Sequence, residues 1–240
     1  MTLQRLFSYT RKAVDDYQMI EEGDKIAIGI SGGKDSLTLL YALQGLRRFY
    51  PHKFDIMAVT VDLGFHNFDT ERIGGLCREL KVPYEVVHTE VARIIFEERK
   101  ESNPCSLCAK MRKGALNTAV KANGCNKVAY AHHKDDVIET MLMSLLFEGR
   151  FHAFSPKTYL DGMDLTVIRP MIYVPEMDVI GFQNKYQLPV AKSPCPVDGH
   201  TKREYAKNLV RQLNKEQPGC KERMFTAILK GAIDGWENIP

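Results

Sequence analysis

No run of the 240 residues is apolar over the roughly 20 positions that a membrane-spanning helix needs. The first segment, Met1 to Lys12, carries Arg5, Arg11 and Lys12. It has neither the apolar core nor the small-residue cleavage site of a secretory leader. A cytoplasmic protein with no membrane partner is therefore expected. Charge of one sign is also scarce: 33 Lys and Arg against 30 Asp and Glu leave a formal net charge of +3, which suits solubility and does not by itself indicate nucleic acid. Internal repeats and low-complexity tracts are absent. With 44% hydrophobic and 26% charged residues, disorder and collagen-like architectures are excluded, and a chain of this length buries a core without disulfide staples. Cys77, Cys105, Cys108, Cys125, Cys195 and Cys220 thus call for a use other than a disulfide framework.

What is present alternates between two periodicities. Leu3 to Tyr17 reads as an amphipathic helix, with Leu3, Leu6, Phe7, Val14 and Tyr17 near helical spacing. Short apolar runs at 25–31, 54–62, 84–91 and 127–132 read as buried parallel strands, and helices are expected at 37–49, 69–80, 109–123 and 135–147. After Gly149 come a hairpin, 157–160 with 165–169, a helix opened by Pro175, a rigid Ser193-Pro194-Cys195-Pro196 loop, and helices at 202–213 and 220–232. Strands alternating with helices argue for an α/β fold, a parallel sheet with helices on both faces. We expect an N-terminal helix over 1–22, a nucleotide-binding α/β domain over 23–190, and a C-terminal loop with helices over 191–240.

Ser31-Gly32-Gly33-Lys34-Asp35-Ser36 stands where an open α/β sheet binds its ligand, between a strand end and a helix start. Gly32 and Gly33 let backbone amides approach an anion, and the helix N-terminus adds partial positive charge. Lys34 can neutralise phosphate, and Ser31 and Ser36 can donate hydroxyl hydrogen bonds. The spacing is neither that of a Walker A loop nor GxGxxG. Further on, His132, Asp135 and Asp136 form an HxxDD after another strand. Adjacent carboxylates there can ligate magnesium, or simply cap the next helix.

SGGKDS after a strand matches the signature of the PP-loop ATP-pyrophosphatase superfamily. That resemblance implies an adenine nucleotide alpha-hydrolase-like, Rossmann-like domain with extra N- and C-terminal helices. It also implies cleavage of ATP between the α- and β-phosphates, Asp35 near magnesium, and an adenine edge read by the backbone at Val61 and Leu63. With HxxDD it points to the branch of tRNA lysidine synthetases and thiolases. Asn103 to Gly114, with Cys105 and Cys108 at a helix start followed by Lys110, Arg112 and Lys113, resembles the tRNA 2-thiocytidine synthetase family. The likeness in motif order runs from about Gly23 to about Glu204. Members carry a third cysteine after HxxDD, and Cys195 stands in that region. The resemblance implies that these three cysteines bind a 4Fe–4S cluster with one open iron. From the residues alone, zinc completed by Cys195 and His200, or a redox dithiol with no cluster, are alternatives. Cys77, Cys125 and Cys220 read as core or surface residues.

The implied reaction is ATP-dependent tRNA thiolation. The C2 oxygen of a cytidine, position 32 in the family, attacks the α-phosphate, pyrophosphate leaves, and a sulfide or persulfide sulfur displaces AMP. Lys34, Asp35 and the three cysteines would be catalytic, and Lys110, Arg112 and Lys113 would hold tRNA or form a solvated helix face. The basic residues Lys192, Lys202, Arg203, Lys221 and Arg223 have the same two readings. Partners would be tRNA, a cysteine desulfurase or other sulfide donor, and a second copy if the protein is a homodimer. Competing readings are uridine thiolation, lysidine synthesis, and a redox-sensing ATP-binding regulator. The final cysteine sits in a PCP segment unlike the family pattern, and the chain after it is short, without the long C-terminal domain of lysidine synthetases.

Overall fold

The computed structural model describes all residues except 66–68, 100–103, 192–194, 196–201, 232, 234 and 237–240. Asn103, Lys192, Ser193, Pro194, Pro196 and His200, singled out above, lie outside the described residues. The elements in order are α1 (Leu3–Asp16), β1 (Lys25–Gly29), α2 (Lys34–Leu46), β2 (Asp55–Asp62), α3 (Thr70–Glu79), β3 (Tyr84–His88) and α4 (Val91–Arg93), which runs on as a π-helical turn, Ile94–Glu98. Then follow α5 (Pro104–Ala122), β4 (Lys127–Ala129), α6 (Lys134–Glu148), β5 (Lys157–Leu160), β6 (Leu165–Ile168), α7 (Glu176–Tyr186), α8 (Lys202–Glu216) and α9 (Cys220–Lys230).

The six strands are ordered β3-β2-β1-β4-β6-β5. All neighbours run parallel except the edge pair β5–β6, the expected hairpin. Alternate residues of each strand face opposite sides. Ile26 and Ile28 of β1, with Ile56 of β2, face a large cluster built by α1, α2, α6, α7, α8 and α9. Ala27 of β1, with Met57 and Val59 of β2, faces a smaller cluster closed by Leu116, Ala119 and Val120 of α5. One helix, α5, therefore covers the second face where the central strands emerge. No helix among the described residues is long and apolar enough to cross a membrane.

Element boundaries differ from the sequence reading in instructive places. The strand expected at 84–91 stops at His88, because Val91 already opens a helical turn and the Ala92 amide bonds the Leu63 carbonyl at 2.8 Å. The helix expected from Leu37 begins at Lys34, so Lys34, Asp35 and Ser36 occupy its first turn. The helix expected from Ala109 begins at Pro104 and carries both cysteines of the CxxC.

Sequence order reverses between β1 and β4: the chain builds outward through β2 and β3 on one side, then returns to β4 on the other. Such a switch point opens a crevice at the carboxyl ends of the strands. At the opposite ends the pair is locked by Lys127 and Asp24, each 4% exposed and 2.7 Å apart. Asn126 donates to the same carboxylate at 2.7 Å, and the Lys127 ammonium also bonds the Met19 carbonyl at 3.1 Å. Removing one member of a buried, hydrogen-bonded pair leaves an uncompensated charge. Asp24→Ala is expected to cost about 3–5 kcal/mol in urea unfolding, and Asp24→Leu combined with Lys127→Met to restore most of it.

Candidate functional site

A cavity of about 680 Å³ lies at the switch point. Its volume is in the usual range for small-molecule and cofactor sites. Three groups of residues from the sequence reading converge on it. Ser31 and Gly33 come from the loop between β1 and α2, Asp35 and Ser36 from the first turn of α2, Val61 and Leu63 from the end of β2 and the residue after it, and His132 and Asp136 from the segment after β4 and the first turn of α6. Cys108, Arg112 and Lys113 of α5 line it as well, together with Cys195. Gly32, Lys34, Cys105, Lys110 and Asp135 do not line it.

The loop is shaped as an anion cradle. Gly32 has φ +79°, a conformation that disfavours side chains. The Ser36 hydroxyl accepts from the Ser31 amide at 3.2 Å and donates to the Gly33 carbonyl at 3.0 Å, which draws the loop into a ring. Gly33 caps α2 without any side-chain bond, so the first amides of that helix stay available to a ligand. The Gly32 carbonyl is tied to the Ala191 amide at 3.0 Å, which holds Ala191 against the loop. Lys34 contacts Asp35 at 3.0 Å and Glu176 at 3.4 Å. Burial lowers its pKa, but these two carboxylates outweigh that and the net shift is upward. Glu176, the first residue of α7, escaped the sequence reading. Nothing in its local pattern distinguishes it from a helix N-terminal acid.

The two HxxDD carboxylates part company. Asp136 faces the cavity and also caps α6, accepting the His133 amide at 2.9 Å while its own amide bonds His133 Nδ1 at 3.3 Å. Cap and site are one residue. Its other oxygen meets Arg203 of α8 at 3.2 Å. Asp135 is buried, accepts the Glu176 amide at 2.8 Å and pairs with Lys221. It fastens α7 and α9 to α6. Lys221 and Arg203 are thereby committed internally rather than to a solvated basic face.

His132 is enclosed between Tyr130, Phe154 and Arg169. Its pKa is pushed down to about 4: burial lowers it most, Asp136 opposes, and Arg169 and Arg203 add to the fall. Glu139, one turn beyond Asp136, is pushed up to about 7 by burial and by Asp136. It was not foreseen, because its burial depends on α8 closing over α6.

The cysteines divide in two sets. Cys77 and Cys125 lie in the core, and burial raises both thiols, Cys77 to about 11, which makes them inert. Cys220 begins α9. Cys105 and Cys108 lie in the first two turns of α5, and Cys195 is near enough to perturb Cys108. Burial raises the Cys108 thiol most, Arg112 counters it, and Cys195 and Cys105 raise it further. Among the described residues no three His, Cys, Asp or Glu side chains close around one point as a mononuclear ion requires. Cysteine thiols are the donors that iron–sulfur clusters take, and His200, which the zinc alternative needs, lies outside the described residues.

His132 generates a pH test. In the fold it binds its proton less tightly than in the unfolded chain, so between pH 6.5 and 4 the unfolded state binds more protons and stability rises with pH. The stability His132 contributes is fully present above 6.5 and is lost as pH falls toward 4. Urea titrations across that window are expected to show wild type losing stability that His132→Asn does not lose.

Known proteins resemble the chain over most of its length. A PP-loop domain model matches residues 6–216. A tRNA-cytidine(32) 2-sulfurtransferase of Geobacter sulfurreducens is 40% identical over 220 residues, which cover 90% of this chain and 86% of the relative. Its namesake in Geobacter metallireducens matches at 40% over 220 residues with the same coverage. Among solved structures, a U34-tRNA thiolase from Methanococcus maripaludis with its 4Fe–4S cluster superposes with a TM-score of 0.75 at 26% identity, over 92% of this chain and 76% of that one. With its phosphate loop, its cysteine-bearing helix and these relatives over nearly its whole length, the chain belongs to the PP-loop family, in the branch of the tRNA-cytidine(32) 2-sulfurtransferases.

Proposed function

We propose that the protein uses ATP to exchange the C2 oxygen of cytidine 32 in tRNA for sulfur. The observation that carries this reading is the shared cavity: the phosphate loop residues Ser31, Gly33 and Ser36 and the thiols Cys108 and Cys195 line one space. A nucleotide on the loop and a sulfur donor at α5 would flank the same substrate carbon. A redox-sensing regulator needs no such convergence, and lysidine synthesis needs no cysteines.

The steps follow from the residues. The loop amides and the first turn of α2 bind the β- and γ-phosphates. Lys34, freed from Asp35 and Glu176 as phosphate arrives, offsets charge that builds on the transferring phosphate. Asp35 and Asp136 are the carboxylates suited to magnesium, because both line the cavity and Asp135 does not. The cytidine C2 oxygen attacks the α-phosphate and the bond to pyrophosphate breaks. Sulfide then adds to C2, the C2–O bond breaks, and AMP departs with the oxygen. A 4Fe–4S cluster held by Cys105, Cys108 and Cys195 would supply an open iron to carry that sulfide. Arg112 and Lys113 at the cavity rim suit the phosphates of an anticodon loop, whose unpaired bases can be splayed out. Lys110 does not line the cavity and is an outer phosphate contact in this reading. The sulfide comes from a desulfurase or another donor.

Lys34→Ala is expected to lower pyrophosphate release by at least about 100-fold, the scale for removing one preorganised charge-stabilising donor. Normal release would remove the loop from the chemistry. Replacing Cys105, Cys108 or Cys195 singly by Ala should abolish thiolated nucleoside in digested tRNA while ATP binding persists. Cys77→Ala, Cys125→Ala and Cys220→Ala should retain it. A protein that binds zinc and no iron, or a Cys195→Ala variant that still thiolates, would contradict the assignment of the three cysteines.

A further inference from the structure

On the sheet face beneath α5, Tyr130, His132 and Arg169 line the same cavity as Cys108 and Arg112. Arg169 follows β6 and is held from two sides. Its Nε donates to His132 Nδ1 at 3.2 Å and Nη1 donates to the Ser155 carbonyl. The Phe154 ring lies 5.0 Å from the guanidinium and 4.4 Å from the His132 ring. Among the described residues no carboxylate pairs with Arg169. Burial lowers its pKa to about 10, with Tyr130 pulling upward, so it stays cationic at neutral pH. One Nη1–H and both Nη2–H groups have no partner among the described residues. The Tyr130 hydroxyl beside it is also buried with no partner among the described residues, and its ring packs over Gly29, where a Cβ would stand 3.7 Å away. Buried polar groups without partners are costly unless a ligand completes them.

We propose that Arg169, fixed by His132 and Phe154, selects the base: its guanidinium takes the O2–N3 edge of a cytosine, with the Tyr130 hydroxyl alongside. This deepens the proposed function and rests on it. Arginine offers donors only, in a planar fork. Cytosine presents two neighbouring acceptors, O2 and N3. Uracil presents O2 and then N3–H, which would point a donor at a donor. One residue thus matches the first base and opposes the second, so specificity arises from repulsion as well as attraction. The contact also holds the C2 carbon between the phosphate loop and the cysteine helix.

The test compares wild type, Arg169→Gln and Tyr130→Phe as anaerobically purified holoenzymes on two RNA hairpins that differ only in cytidine or uridine at the target position. ATP affinity is measured separately. Glutamine can both donate and accept, so it tolerates either base. Arg169→Gln is expected to shrink the cytidine-over-uridine ratio of kcat/KM by about 10-fold or more, the usual discrimination of one bidentate base contact, with ATP affinity unchanged. Tyr130→Phe is expected to raise KM for the cytidine hairpin while ATP affinity holds. An unchanged base ratio in Arg169→Gln overturns the proposal. Lost ATP affinity also overturns it and assigns Arg169 to a phosphate. If wild type thiolates neither hairpin, the proposed function itself falls and this inference with it.

Discussion

Asp24 and Lys127 meet where neither has much contact with solvent, one just before β1 and the other at the start of β4. Their pairing fixes how the two central strands sit beside each other. Register then carries upward: Ile26 aligns with Lys127 and Ile28 with Ala129. A shift of one residue would turn every side chain of β4 to the other face. His132 would leave the α5 side, and Asp136 would no longer cap α6 toward the phosphate loop. The geometry at the top of the sheet is thus inherited from an ion pair at its bottom. Such pairs contribute little net stability against an apolar replacement, and their recognised use is to specify an arrangement.

Above that pair, the two strand ends deliver different chemistry to one crevice. β1 delivers amides and hydroxyls in a ring closed by Ser36. β4 delivers a neutral imidazole and a carboxylate. α5 is the third wall, and it is the reason the cavity is not a plain nucleotide site. Its first turns bring thiols and cations over the sheet where the nucleotide's reacting phosphate would lie. The C-terminal helices hold this arrangement from behind through Lys221 to Asp135, Lys207 to Glu176 and Arg203 to Asp136.

Much of this was legible in the residues. SGGKDS announced its own backbone because glycine at φ +79° and a following helix leave few alternatives. The CxxC was read at a helix start, although that helix begins at Pro104 rather than at Ala109. Alternation between runs and helices pointed to the parallel sheet but not to its strand order, and the 84–91 run was read too long because Val91 and its neighbours are apolar in a helical turn as well as in a strand. Asp135 and Asp136 could not be separated, since adjacency in sequence says nothing of which one α7 and α9 will claim. Glu139, Glu176 and Arg169 were silent for the same reason. Their surroundings come from elements remote in the chain, and only packing makes a surface-type residue into a buried one. Arg169 left the weakest trace, a lone cation at the end of an apolar hairpin strand, just before Pro170.

The central claim is that ATP activates the oxygen which sulfur replaces, in one cavity. It can be read from the fate of that oxygen. With tRNA carrying a heavy-oxygen label at C2 of cytidine 32, the account predicts that each thiolation event yields one AMP bearing the label in its phosphate. Unlabelled AMP formed alongside thiolated cytidine would contradict it.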